Sequence, residues 1–556
     1  MHFSERREAP TRKDACVESY NPLRYILFSL LFMLIVTCEF PLLPAYSQNA
    51  GAVRYVFKID EDGLTFVDIL YNTSQNQGSM WVLVPRFTRW INKTLRGEVT
   101  EWSLRDSYGI SGFSNPFYEA LFFSFKSEGL FEMEIQYNHS LAAMIIEPYG
   151  IFFSPQIGFK KGNKAEIIIQ MPKAFVIKRD EVAAFGSSSI YSPSSIDRDR
   201  NVVSFKIPET ETLMRVEIGF ETGRESADLI ELHSGIFTFE TPRRYLEYAR
   251  KILRFYNQTY DDLVDLFNVT LENARVVFFL PEFDLLLNIG GYVPFTSEKL
   301  GDIHINILYT RTIEGEMEVI ALHELVHHFL WKTGISPEDL LWFHEGMAQY
   351  VSIEICNEMG YEGALLIKQQ IQERIPEAKA KFRNDFGFLQ GWSPQHIPQD
   401  IGRYYIAAYY IVSELSEQHG GLDYYKRFFK LMRGKKIKSN SELGYYLSLA
   451  AEESVTTILN SWGFDIPDLY RYSSLLNEVR SLVEGVSRLF EPYRSLAEAL
   501  YRNAVFNADR ENEARMKFYL ASAVLIAKLA PLLTLITVTT FIFCSLLWFL
   551  KTKKVL

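Results

Sequence analysis

Between Ala52 and Glu221 apolar and polar positions alternate in short runs. Arg54-Tyr55-Val56-Phe57-Lys58-Ile59, Ala165-Glu166-Ile167-Ile168-Ile169-Gln170 and Met214-Arg215-Val216-Glu217-Ile218-Gly219-Phe220 are typical, with Gly, Asn, Ser and Pro between them. Successive side chains of a strand point to opposite faces, so this alternation of β-branched and aromatic residues predicts a largely antiparallel β region. Near Thr241 the pattern changes. Pro242 to Tyr256 carries apolar residues at helical spacing, while Val276 to Leu280 and Ile303 to Leu308 again have the character of strands. From Glu316 to about Lys517 the spacing is helical almost throughout. The expected architecture is multidomain α+β: a leader over 1–47, an antiparallel β-rich domain over 48–225, an α+β domain over 226–435, a helical region with a juxtamembrane stalk over 436–517, and a C-terminal transmembrane helix with a basic tail over 518–556.

The two ends carry the longest apolar runs. Leu529 to Leu550 is 22 residues without a charge. At about 1.5 Å per residue a helix of that length crosses a hydrocarbon core of about 30 Å. Pro531 falls near the start of the run, where a helix tolerates it. Lys551, Lys553 and Lys554 follow with no acidic residue, which predicts that this end stays cytoplasmic. At the other end Arg6, Arg7, Arg12, Lys13 and Arg24 precede the apolar run Tyr25 to Cys38, and Ala45-Tyr46-Ser47 supplies a small-x-small cleavage site. That is the pattern of a secretory signal peptide, with an uncleaved anchor as the alternative. Either way residues from about 50 to 515 are expected outside the cytoplasm. The protein is then single-pass in the cell membrane, or two-pass if the leader is retained.

Composition narrows the classes. The 58 basic and 68 acidic residues give a formal charge of −10, which disfavours nucleic acid as a partner because phosphate contacts need clustered Lys and Arg. Of four cysteines, Cys16 and Cys38 fall in the leader and Cys544 in the span. Cys356 alone remains in the exported part, so no disulfide is expected there. Asn72, Asn92, Asn138, Asn257 and Asn268 head five N-glycosylation sequons.

The chemistry is concentrated after Glu316. Glu316 to Lys332 is predicted as one helix, stopped by Gly334. It contains His323-Glu324-Leu325-Val326-His327. Histidines four apart project from one helix face, one turn above the other, and can share one metal ion. Glu324 adjoins the first and can serve as general base toward a metal-activated water. Such a five-residue match arises by chance only about 0.01 times in a chain of this size, so zinc is the expected cofactor, one ion. Next, Ser336-Pro337-Glu338-Asp339 has the composition of a helix start. The helix continues Leu340-Leu341-Trp342-Phe343-His344-Glu345-Gly346-Met347-Ala348-Gln349-Tyr350. Two helices joined by a short turn can pack antiparallel, and Glu345 could then face the His323/His327 pair as a third protein ligand, leaving a position for water.

These segments resemble the gluzincin zinc metallopeptidases of the MA clan, specifically the aminopeptidase N-like branch, whose second helix reads W-x-x-E-G-x-A-x-Y. The resemblance covers about Gly290 to Leu415 and implies a thermolysin-like peptidase domain acting on a peptide or protein substrate. The family places 18 residues between the second His and the Glu; this chain has 17, His328 to His344. The resemblance further implies an oxyanion-stabilising Tyr some 60 residues on. Tyr405 fits that place, with Tyr404 as the alternative, although the family's Lys-Gly pair is missing from Tyr405-Ile406-Ala407-Ala408. The G-x-M-E-N segment, whose Glu binds a substrate's free amine in the family, is replaced by Gly290-Gly291-Tyr292-Val293-Pro294, with Glu282 and Glu298 outside the pattern. Amino- versus endopeptidase action is therefore open.

Other features have plainer readings. His328 is expected about 100° round the helix from His327 and so not a ligand. His344 is read as a solvated or hydrogen-bonded neighbour, with substrate contact as the alternative, and His304 as a strand residue. Seven basic residues between Lys426 and Lys438 fit a solvated helix end and loop, and Arg510 to Lys517 a charged stalk. The competing function is a catalytically inactive receptor or adhesion protein on the same fold.

Overall fold

The computed structural model describes residues 51–553 apart from 87, 107–116, 188, 297–298, 397 and 510–511. The leader and Glu298 lie outside the described residues.

From Ala52 to Glu221 the chain forms three sheets of seven, six and three strands. Pairing is antiparallel except where Ala52–Ile59 runs parallel to Lys164–Gln170. The alternation in sequence becomes alternation of burial: in Thr65–Thr73 every second side chain is buried. The inward rows, including Tyr55, Phe57, Phe123 and Phe152, make one core.

The next unit opens on a five-stranded sheet, in spatial order Leu229–Ser234, Phe237–Pro242, Ala274–Phe279, Ile303–Asn306 and Gly291–Tyr292, the last being an edge strand. Helix α1 (Leu246–Phe267) connects the parallel strands Phe237–Pro242 and Ala274–Phe279. Helices α2 (Glu316–Thr333), α3 (Pro337–Glu358), α4 (Glu362–Phe382), α5 (Ile401–His419), α6 (Leu422–Met432), α7 (Asn440–Ala451) and the short α8 (Thr456–Ser461) follow. Sheet and helices share a second core. Tyr245 ties this unit to the β region: its hydroxyl accepts from Ile145 N at 2.7 Å and donates to Ile145 O at 3.0 Å.

A third core joins α9 (Ser473–Glu484), α10 (Tyr493–Asp509) and the first half of α11 (Glu513–Lys553). The most apolar stretch of α11 is almost wholly uncovered by the rest of the protein, and its length and composition suit a membrane span. Pro531, expected near a helix start, instead lies well inside α11. Packing of Met516, Leu520, Ala523, Ala527 and Ala530 against α9 and α10 extends the helix upstream of the uncharged run. Cys356 and Cys544 are both free.

Candidate active site

α2 is held at both ends by local chemistry. The Glu318 carboxylate accepts from Gly315 N at 2.9 Å, and Gly334, at φ 92°, closes the C-terminus. The helix is buried on nearly all sides, His323, Glu324 and His327 included. From α1, the Tyr256 hydroxyl donates to Ala321 O at 2.7 Å and fixes the turn that carries His323. α3 begins as expected, with Ser336 Oγ accepting from Glu338 N at 3.2 Å. It then bends at Leu340 (φ −141°, ψ 53°) before continuing through Glu345. The Trp342 indole donates to Asn440 Oδ1 at 2.7 Å and pins α3 to α7.

The two helices bring three donors together. Glu345 Oε2 is 3.2 Å from His323 Nε2 and 3.6 Å from His327 Nε2. Ligand atoms of the three residues all lie within 4.8 Å of one another. Four tetrahedral bonds of about 2.1 Å would set ligands about 3.4 Å apart, so the donors fit one zinc ion after small side-chain adjustment. The spacer of 17 residues thus reaches as the expectation required. His328 is not in the cluster: its Nε2 is buried without a hydrogen-bond partner, and burial lowers its pKa to about 4.

Electrostatics around the cluster follow from burial and mutual charge. Burial pushes the Glu324 carboxyl up to about 8, with the His323 ring opposing and the Glu345 carboxylate adding to the rise. Burial also works against the Glu345 carboxylate, yet His327 and His323 hold its pKa below the ordinary value. For His323 the two carboxylates outweigh burial and raise the pKa; for His327 burial drives it well down.

His344, 1% exposed, is hydrogen-bonded rather than solvated. Its Nδ1 is 2.7 Å from His327 Nδ1, with the ring centroids 4.8 Å apart and the ring planes within 13° of each other. One of these nitrogens must carry the proton. With His327 Nε2 facing Glu345, the consistent arrangement has His327 Nδ1–H donating to His344, which fixes ring orientation and tautomer of the ligand. The position just before Glu345 was the only signal of this role.

Tyr405 and Tyr404 separate clearly. Tyr404 packs its ring against Phe388 and Trp392 in the helical core. Tyr405 lines the cleft with its hydroxyl against Glu345; burial, then the Glu345 and Glu324 carboxylates, raise its pKa well above the usual phenol value. Gly346 permits that approach, because a Cβ there would lie 2.7 Å from Ala408 O of α5. Gly291 on the edge strand has an equivalent role, since a Cβ would meet the Glu324 side chain at 2.7–2.8 Å. His304 stacks on Tyr292 at 4.3 Å within the sheet and does not line the cleft.

The cleft has a volume of about 120 Å³. Beyond the cluster it is walled by Tyr292, Val293, Phe295, Leu300, Pro337 and Leu341, apolar but for the tyrosine hydroxyl. A larger cavity of about 260 Å³ is remote from the cluster, at the C-terminal ends of α2 and α6. Lys332, Arg433, Lys435 and Lys436 line it, a placement that suits the carbonyl ends of two helices.

The His323, Glu324, His327 and Glu345 arrangement is a clan MA-like zinc-binding constellation, consistent with an active zinc metallopeptidase site holding one ion. With α11, which is long and apolar enough to cross a membrane, it is consistent with a membrane-anchored zinc peptidase. No protein-family profile matches the chain, and no curated protein matches it. Solved structures similar to it include yeast LTA4 hydrolase, native and in complex with bestatin. Both are 12% identical at a TM-score of 0.32, over 86% of this chain and 86% and 85% of theirs respectively. This is a weak likeness at low identity, and it does not reach the aminopeptidase N branch.

Proposed function

We propose that the protein hydrolyses peptide bonds on the extracytoplasmic side of a membrane, with His323, His327 and Glu345 holding zinc, Glu324 as general base and Tyr405 as oxyanion donor. The observation that carries this reading is the convergence of two imidazoles and a carboxylate beside a buried second carboxylate that opens on a cleft. Bound zinc supplies Lewis acidity, polarising a carbonyl and bringing the pKa of a coordinated water to about 7. Glu324 takes a proton from water as its oxygen adds to the scissile carbonyl carbon. It then delivers that proton to the departing amine as the C–N bond breaks. His344 keeps His327 in the ligating tautomer. Tyr405 donates its hydroxyl hydrogen bond to the carbonyl oxygen as negative charge develops there. Lys551, Lys553 and Lys554, at the C-terminal end of the uncharged run, support the stated orientation.

The walls of the cleft say something about substrate. Among the described residues its only carboxylates are Glu324 and Glu345, both committed to the centre, and its outer wall is apolar apart from the Tyr292 hydroxyl. The apolar part of that wall favours a scissile bond flanked by an apolar side chain. The test is zinc-loaded full chain incubated with a mixed peptide library and terminal sequencing of the products. Cleavage next to apolar residues within blocked peptides is expected. Zinc binding without cleavage of any peptide would favour the inactive receptor instead.

Tyr405→Phe removes the hydroxyl but keeps the ring against Trp392, whose centroid is 5.3 Å away. Loss of one oxyanion donor is expected to lower kcat by about 10²–10³-fold with little change in KM. Unchanged kcat would remove Tyr405 from the mechanism.

A further inference from the structure

The base of α10 stands beside α11 at a depth that the length of α11 determines. The Tyr493 hydroxyl, in the first turn of α10, is 2.6 Å from Thr537 Oγ1. Thr537 falls inside the uncharged run Leu529 to Leu550, fourteen residues before Lys551. Fourteen residues of helix rise about 21 Å, whereas a hydrocarbon core is about 30 Å thick. If Lys551 marks the far boundary, about 9 Å of hydrocarbon lies on the α10 side of Thr537. Moving that boundary to Lys553 still leaves about 6 Å, and any tilt of α11 adds to it.

What stands at that depth is apolar and uncovered. The short turn Arg488–Phe490 packs against α11 just before α10 begins. Leu489 in this turn is 82% exposed, more than any other large apolar side chain among the described residues. Leu496, one turn into α10, is exposed as well, while Phe490 and Tyr493 are partly buried against α11 and its neighbours. The charges nearby are compatible with a headgroup layer. Arg494 Nε pairs with Glu498 at 3.0 Å, Glu491 accepts from Ser495 Oγ at 2.7 Å, and Arg488 is exposed beside Leu489.

We propose that the Arg488–Phe490 turn and the first turn of α10 form a second membrane contact, which sets Leu489 and Leu496 into the headgroup–acyl boundary of the leaflet that α11 enters. An apolar side chain flanked by a basic one suits that layer, where polypeptide is buried about 5–10 Å deep. Two contacts fix the rotation of the folded part about α11, which a lone helix leaves free. The contact rests on α11 spanning the bilayer, and the experiment separates the two.

The full chain, with Cys16, Cys38 and Cys544 changed to Ser, is reconstituted in phosphatidylcholine vesicles and carries one nitroxide at a time. The label is placed through Leu489→Cys, through Phe541→Cys on the exposed face of α11, or through Ile190→Cys on the exposed β region. Accessibility to oxygen against a water-soluble nickel chelate reads depth. Labels at 541 and 489 should both favour oxygen, 541 the more strongly, and 190 the chelate. A water-exposed label at 489 with 541 in hydrocarbon overturns the second contact and leaves the span standing. Water exposure at both overturns the span and the contact together.

Discussion

Glu324→Gln is expected to keep zinc at one ion per chain and to lose peptide hydrolysis by about 10²–10⁴-fold, the usual weight of a general acid–base group. The amide is nearly isosteric with the carboxylate, so the space beside Gly291 remains filled as it is in the native protein. None of the three donors in the cluster is touched. What disappears is, among the described residues, the only buried carboxylate that lines the cleft without being in the ligand cluster. Metal analysis and hydrolysis of a blocked apolar peptide are measured on the same preparation. Full activity in a folded, zinc-loaded variant would transfer the base to another group. Loss of zinc along with activity would mean that Glu324 belongs to the ligand set.

Local signals carried most of this centre. A five-residue motif, a capping serine with proline, and a glycine stop suffice to place α2 and α3, because periodicity and caps act within a few residues. The strand alternation likewise became the three sheets. Features that depend on distant parts of the chain were not legible. The bend at Leu340 lies within an uninterrupted helical pattern. The His327–His344 bond needs two helices already packed. That Tyr405 lines the cleft while Tyr404 packs on Phe388 depends on how α5 meets the helices around it, since both rings also touch Trp392. Gly291 and Gly346 could be counted in the sequence, but only the fold shows that Glu324 and the Ala408 carbonyl occupy the space that a side chain would need. In the same way α11 is longer than its uncharged run, since helix packing rather than hydropathy sets where it begins.

His323→Ala should abolish zinc binding itself, the opposite separation from Glu324→Gln. The ring supplies the Nε2 nearest to Glu345, at 3.2 Å, and its removal leaves one imidazole and one carboxylate. Two protein ligands do not hold zinc in a site that otherwise has three. The loss is read in two ways. Zinc per chain should fall from one to below about one-tenth after gel filtration, given that structural and catalytic sites bind the ion far above such dilution. Stability should also cease to respond to metal. At free zinc about 1,000-fold over its dissociation constant the native protein gains about 4 kcal/mol on binding, and the variant should gain none. Comparing melting with and without zinc within each protein cancels the packing cost of the smaller side chain, because that cost is present in both measurements. A His323→Ala protein that retains stoichiometric zinc and its metal-dependent rise in melting temperature would dissolve the three-ligand centre, and with it the assignment of Glu345.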